Sequence, residues 1–438
     1  MNILLLGNGF DLYYKLPTSY RNFLLTLDFL IHSDIKNINN VSDVFGNSML
    51  NEQDKFIKES YEEYKKVYDK VKLDKEKLQE MIDRTKNNVW FSYLITVFNK
   101  DVGWIDFEKE ISYVIDCFKY FFKTLYEPFE AKKNVSFIPG NRVFKNEESK
   151  YIIMESFNFF IDNELSSKNG KYKDDIIIKE DFTCECPLKP GYFRIDKEKI
   201  IDYLYNQFQD FAYALKIYLC LFVDKTTELL CASSNEESSE QPEIPQMKLM
   251  EYSSVVISFN YTHTYELLLE LLFQSSQIFF TPEIVHIHGE TDEEIVLGVN
   301  SDKNDRKENV DTSFLRFKKY YQRTYYQADY SYLRWIRAFR EKMKKANNDI
   351  VSEKINLLVF GHSLDDTDEK YIRELFGLAT KIRVFYHKDT AKKQYIENLV
   401  NIFGGYEFEK IRDEKHLEFL NLKSDLSEYL LRCAMSLE

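Results

Sequence analysis

Apolar residues run unbroken from Ile3 to Leu6 and stop at Gly7. An uninterrupted apolar run ending at a glycine is how a strand buried on both faces of a parallel sheet reads in sequence. The loop Gly7-Asn8-Gly9-Phe10-Asp11 follows, and beyond Leu16-Pro17-Thr18-Ser19-Tyr20 the apolar positions change to helical spacing at Phe23, Leu24 and Leu27. The chain therefore opens as strand, glycine loop, helix.

From about residue 50 to 130 the spacing is helical, as in Tyr61, Tyr64, Val67 and Tyr68, among many Lys and Glu. Residues 132–200 are less regular and carry Pro139-Gly140 and the Pro187–Gly191 stretch, which predict loops, and a further helix is expected over about 197–224. The polar, acidic run from Ala232 to Pro242 has almost nothing to bury and reads as a mobile loop and a domain boundary. Strand signals then return at 255–259, 278–280, 284–288, 295–297, 357–360 and 382–386, with helical spacing at 262–273, 313–346, 366–378 and 390–402. This alternation predicts an α/β, Rossmann-like fold with a mainly parallel sheet flanked by helices. The first strand has no other sheet to join, so residues 1–30 and 250–438 are expected to form one discontinuous domain. Residues 31–249 are then a large, mainly helical insertion that would serve as a lid or regulatory domain.

Composition supports a folded chain rich in long helices: 44% of the 438 residues are apolar, and 13 Gly and 8 Pro are few for the length. The net charge of −13 opposes general binding to a phosphate backbone. Six cysteines show no C-x-x-C pair, which suits a reducing compartment, and the single C-x-C of Cys184 and Cys186 lacks a second pair, so no metal is expected. The N-terminal apolar run is too short for a signal peptide and has no basic flank, and no stretch has the length of a membrane span, so the expected location is cytoplasmic.

Four polar clusters each follow an apolar run: Gly7 to Asp11, Asn260-Tyr261-Thr262-His263-Thr264, His286-Ile287-His288-Gly289, and Gly361-His362-Ser363-Leu364-Asp365. In a parallel sheet the carboxyl ends of the strands lie at one edge, where ligands bind, so the four should converge. The glycine loop either brings backbone N–H groups and a helix start toward a phosphate or is a plain strand-to-helix turn. Asp11 could cap that helix or take a ribose hydroxyl, and Asn260 could hold water or a hydroxyl. Thr262 and Thr264 read as helix caps first. His286 and His288 share one strand face; either could be a core histidine, and His288 at the strand end is placed for a general base. Asp365, Asp366 and Asp368 precede a helix, where capping explains them. Trp104 to Glu108 pairs two carboxylates with a tryptophan, which a helix start also explains. Residues 303–345 mix an excess of Lys and Arg with aromatic residues, either an amphipathic helix or a surface that stacks bases.

On these residues the chain resembles the bacteriophage abortive-infection AbiH family. The matching text is Ile3 to Leu12 with Leu16 to Tyr20, Trp104 to Glu108, Phe259 to Thr262, His286 to Gly289, and Gly361 to Leu364 with Asp368; Lys15 stands where the family would have a glycine. A wider similarity is to sirtuin-like NAD-binding domains, which share the order of glycine loop, strand-end asparagine, His-Gly and a late Gly-x-Ser-Leu strand. The resemblance implies that NAD or a related nucleotide is substrate or ligand, that Asn260 and His288 are catalytic, and that Gly7, Asn8, Gly9, Phe10, Asp11, Thr262, His286, Gly289, Gly361, His362 and Ser363 form the binding edge. Without a paired-cysteine zinc module, NAD hydrolysis is favoured over deacylation. The expected function is phage defence by cleavage of the nicotinamide–ribose bond, restrained by the helical insertion or by homo-oligomerisation and triggered by a phage or host protein. Two other readings stay open: a non-catalytic nucleotide sensor or protein-binding module, and an RNA-binding or nuclease effector.

Overall fold

The computed structural model describes residues 1–100, 107–122, 144–145, 153, 156–158, 175–176, 179–185, 193–233, 253–275, 281–300, 312–327, 341 and 354–425. They fall in two compact units, one of residues 1–79, 215–296 and 322–438 and one of residues 80–214 and 297–321.

The first unit is built on six strands: β1 (Asn2–Leu6), β2 (Val255–Ser258), β3 (Glu283–His286), β4 (Asn356–Phe360), β5 (Lys381–Tyr386) and β6 (Leu417–Asn421). Their order is β6-β5-β4-β1-β2-β3, and every neighbouring pair is parallel. The expected α/β architecture with a parallel sheet and flanking helices is therefore present.

Successive strand residues point to opposite faces. Ile3, Leu5, Val255, Ile257, Leu357 and Val359 pack on one face against Tyr371, Ile372, Leu375 and Phe376 of the helix Glu369–Leu378 and Leu399 and Ile402 of the helix Asp389–Phe403. Leu4, Leu6, Val256, Leu358 and Phe360 pack on the other against Phe10 and against Tyr265, Leu268 and Leu269 of the helix Thr264–Ser275. A strand covered on both faces needs apolar residues at every position, which is why β1 has no alternation. Each such side chain stabilises by about 1.5–3 kcal/mol when fully buried.

Two strand readings are corrected. Ile295, Val296 and Leu297 are buried but join no ladder; Val296 N–H donates to the His288 carbonyl at 2.7 Å, so their apolarity reflects burial of a loop. Conversely, β6 is an edge strand on which only Leu417 is buried, and Glu418 faces Lys381 and Arg383 of β5 at 3.1 and 3.0 Å. Its mixed polarity hid it from the pattern. The strand expected at 278–280, most of the polar run after Ala232, and Trp104 to Asp106 lie outside the described residues. Of the helix expected over 313–346, the described part is a short turn at Leu315–Phe317, the helix Lys319–Tyr326 and a helical Glu341.

The chain passes from one unit to the other after residues 79, 214, 296 and 321. Helices up to residue 79 and from 215 belong with the sheet: Tyr218 Oη donates to the Pro17 carbonyl at 2.6 Å, and the Phe45 ring packs on Tyr68 and Phe222. The second unit centres on Trp90, whose indole N–H donates to the Leu204 carbonyl at 2.9 Å and whose ring meets Phe157, Phe208 and Phe317. Glu108 lies there in an ion pair with the buried Lys319. Within 132–200 the chain also forms two short antiparallel pairs, Phe144–Lys145 with Asp175–Ile176 and Thr183–Glu185 with Phe193–Ile195. No helix among the described residues is long and apolar enough to cross a membrane.

Candidate functional site

The four polar clusters converge at the carboxyl edge of the sheet. The first and last meet through backbone: Gly7 N–H donates to the Phe360 carbonyl at 3.1 Å, Gly9 N–H to the Gly361 carbonyl at 2.8 Å, and Phe10 N–H to the Gly7 carbonyl at 2.8 Å. A Cβ on Gly7 would stand 2.5 Å from His362 Cα, and one on Gly9 2.7 Å from Gly361 Cα. The glycines of the first loop thus serve the seating of β1's loop on β4's. Their expected role as a cradle of N–H groups for phosphate is changed accordingly, because these three donors are spent inside the fold. Phe10 is likewise buried among Tyr14, Tyr265 and Phe360, and so belongs to the apolar layer. Asn8 Nδ2 donates to the Thr18 carbonyl at 3.3 Å. Lys15 has φ +57°, a left-handed conformation that glycine adopts without strain.

Asp11 does not cap its helix. It is 1% exposed; Thr262 Oγ1 donates to its Oδ2 at 2.7 Å, and its Oδ1 is buried without a hydrogen-bond partner. Burial pushes the Asp11 carboxyl from 3.8 up to about 7; the hydroxyls of Thr262 and Thr264 oppose the shift, and the charges of Asp224 and Glu266 add to it. The native state thus prefers the protonated acid. That contribution to stability is fully present below pH 3.8 and is lost as pH rises through about 7. The fold should lose up to about 1.4 kcal/mol per pH unit from this group across the window. Urea unfolding from pH 4 to 8 should show the slope flattened in Asp11→Asn, and an unchanged slope would rule out Asp11 as its source.

Asn260 follows β2 and is buried, with Oδ1 unpartnered. Its carbonyl accepts a hydrogen bond from His286 Nδ1 at 3.0 Å, while His286 Nε2 donates to Glu266 Oε1 at 2.7 Å. Both ring nitrogens face acceptors, an arrangement that favours the protonated ring. Burial alone would lower its pKa, but the hydrogen bond and charge of Glu266, the Asn260 carbonyl and Glu290 outweigh it and the net shift is upward. Both ring nitrogens of His286 are thus engaged within the fold.

His263 is held in the same way. Its hydrogen bonds with Asp224 and Glu290 push it from 6.5 up to about 11, against the effect of burial. Its Nε2 lies 3.0 Å from Glu290 Oε2, its Nδ1 lies 3.5 Å from Asp224 Oδ2, and Thr291 Oγ1 donates to Asp224. The hydrogen bond from His263 in turn lowers the Glu290 pKa. This clamp fixes the loop after β3, where Gly289 has φ +75° and a Cβ would fall 2.1 Å from the Glu294 carbonyl oxygen. Among the described residues no group of three or more His, Cys, Asp or Glu is arranged to hold a metal ion.

His288 and His362 are buried on either side of one carboxylate. Asp368 Oδ1 lies 3.4 Å from His288 Nε2, and Oδ2 lies 3.5 Å from His362 Nε2. The Leu364 N–H donates to His362 Nδ1 at 2.9 Å, which places that ring's proton on Nε2, toward Asp368. The Phe259 ring packs edge-on against both imidazoles at 4.4 Å from His362 and 5.3 Å from His288. Ser363 is exposed and its carbonyl accepts from Asn398 Nδ2 at 2.9 Å. A family model described as bacteriophage abortive infection AbiH matches residues 3–387 of the chain. The chain belongs to the AbiH family. No match is found among curated proteins or among solved structures.

In this AbiH chain the site holds residues that pattern reading passed over. Asp368 was explained as a cap, yet its side chain caps nothing and instead joins two histidines. Asp224 ends the apolar run Leu219 to Val223, and a π-helical turn over Leu219–Asp224 presents it to His263. An acid closing an apolar helical run was the available signal, and such turns often occur at functional sites. Glu266 and Glu290 have no distinguishing mark in the sequence, and Arg323 lies in a stretch that reads either as an amphipathic helix or as a base-stacking surface.

Proposed function

We propose that the carboxyl edge of this sheet binds NAD or a related nucleotide and hydrolyses its nicotinamide–ribose bond. The family is one of bacteriophage abortive infection, and depletion of NAD would be its means of stopping the infected cell. The strand order β3-β2-β1-β4-β5-β6 supports a Rossmann-like reading of the sheet, in which nucleotides lie outside the strands' carboxyl ends where the order reverses.

The observation that carries the reading is Asn260 Oδ1, a buried acceptor without a donor. An unmet acceptor costs about 1–3 kcal/mol, and a ribose hydroxyl or a water supplies the missing O–H. Asp11 Oδ1 is a second buried oxygen without a partner, and in the protonated acid it offers an O–H to the site. In the proposed reaction the bond from C1′ of the ribose to the nicotinamide nitrogen breaks and the bonding pair leaves with neutral nicotinamide. Water adds to C1′ and gives its proton to His288. The products are nicotinamide, ADP-ribose and one proton. The Asp368 carboxylate beside His288 Nε2 stabilises the imidazolium formed.

The test is to incubate the protein with NAD and measure free nicotinamide. Asn260→Ala and His288→Ala should each reduce release by about 10²-fold or more. ADP-ribose binding with no release from the wild type would replace hydrolysis by nucleotide sensing.

A further inference from the structure

We propose that Arg323 anchors the phosphates of the nucleotide bound at this edge, a subsite that rests on the nucleotide reading given above. Arg323 lies on the helix Lys319–Tyr326 and is only 9% exposed, yet its Nε and Nη2 have no hydrogen-bond partner. A guanidinium keeps its proton at any working pH, so it cannot avoid the cost of burial by becoming neutral. A buried charge that stays charged calls for a counter-ion.

The geometry points to an oxyanion with two oxygens to offer. The guanidinium carbon stands 4.9 Å from the centre of the Tyr371 ring. Nε–H and one Nη2–H lie in parallel along one edge of the guanidinium plane, the fork that matches two oxygens of a phosphate or carboxylate. Tyr371 packs edge-on against Phe259 at 5.7 Å, and Phe259 packs against His362 and His288. A run of ring contacts through Tyr371 and Phe259 thus links the cation to the two histidines that flank Asp368.

The glycine loop leaves the same need for a donor. The N–H groups of Gly7, Gly9 and Phe10, which in a phosphate-binding loop would face the ligand, donate to protein carbonyls. A pyrophosphate at this edge requires another donor, and Arg323 is a buried cation whose Nε and Nη2 are unmet.

Titration calorimetry with pyrophosphate, ADP, ADP-ribose and adenosine, on the wild type, Arg323→Met and Arg323→Lys, tests the assignment. Wild type should bind the phosphate-bearing ligands, and Arg323→Met should weaken them by roughly 10- to 100-fold while leaving adenosine unchanged. Arg323→Lys, which keeps the charge and loses the fork, should fall between. Thermal melting separates this from a structural role. Removing an uncompensated buried charge should leave the ligand-free melting temperature unchanged or raise it, while the rise on adding pyrophosphate disappears. Should Arg323→Met melt lower, Arg323→Lys carries the comparison.

Equal ADP affinity in all three proteins overturns the proposal and leaves the nucleotide reading intact. Pyrophosphate binding that depends on Arg323, with no binding of NAD or ADP-ribose, keeps the anion subsite and removes the nucleotide reading. No binding of pyrophosphate, ADP or ADP-ribose to the wild type overturns the subsite. Tighter binding of single-stranded RNA than of ADP, lost in Arg323→Met, would reassign the subsite to a nucleic-acid phosphate and overturn it as stated.

Discussion

Asp368→Asn should fold normally and lose NAD cleavage by about 10²- to 10⁴-fold, the range expected when a general base loses its effectiveness. The substitution keeps the shape and removes the charge that lies 3.4 Å from His288 Nε2 and 3.5 Å from His362 Nε2. In the proposed reaction His288 takes a proton from water and becomes a cation in a buried place. The Asp368 carboxylate compensates that charge, and an amide cannot. His362, whose Nδ1 is already an acceptor for the Leu364 N–H, orients the carboxylate from the far side and should matter less to the rate. The check is initial rates of nicotinamide release for Asp368→Asn and His362→Ala, with circular dichroism to establish that both fold. Wild-type turnover in Asp368→Asn would remove the carboxylate from the mechanism and leave it a packing role.

The second large effect is structural. Gly361→Ala should destabilise the protein by about 4 kcal/mol or more, a substantial part of the 5–15 kcal/mol that typical folded proteins have in total. Gly361 has φ +72°, where an L side chain costs about 1–2 kcal/mol by itself. An added Cβ would also lie 2.2 Å from Phe10 N and 2.5 Å from Gly9 C, both backbone atoms that cannot swing aside. Relief would pull the β1 loop off the β4 loop and break the Gly9 to Gly361 hydrogen bond. Gly377→Ala is the control, because that glycine lies within the helix Glu369–Leu378 and a Cβ there meets nothing within 4 Å. It should stabilise by about 0.5–1 kcal/mol through helix propensity. Urea midpoints of the two variants should move in opposite directions. A wild-type midpoint for Gly361→Ala would refute the close-approach account of this glycine.

The legible parts of the site share a feature. Asn260, His288 and Gly361 stand where an apolar run ends, and the geometry of a parallel sheet brings all such ends to one edge. The local sequence therefore carried global information there. Arg323 and Glu266 lie on helices, where a charged residue among aromatic or aliphatic neighbours reads as the solvent face. Only the packed structure distinguishes a buried Arg323 from an exposed one. Asp368 is an intermediate case: acids before a helix are normally caps, and this one instead lies between His288, which follows β3, and His362, which follows the same strand β4 as Asp368 itself. Phe10 shows the opposite failure. Its place in a glycine loop suggested a ligand contact, but three neighbouring aromatic rings take it into the core.

By itself the sequence determined that the chain is α/β, that its first strand is buried on both faces, and that Asn260, His288 and Gly361 stand at strand ends. These properties follow from local periodicity, which depends on the covalent geometry of the chain. The tertiary structure decided which N–H groups and carboxylates are already satisfied, and so which are left for a ligand. The Gly7 and Gly9 N–H groups are spent on the β4 loop, whereas Asn260 Oδ1, Asp11 Oδ1 and the Arg323 fork are not. Hydrogen-bond satisfaction is a property of pairs of atoms far apart in the chain, and no one-dimensional pattern records it.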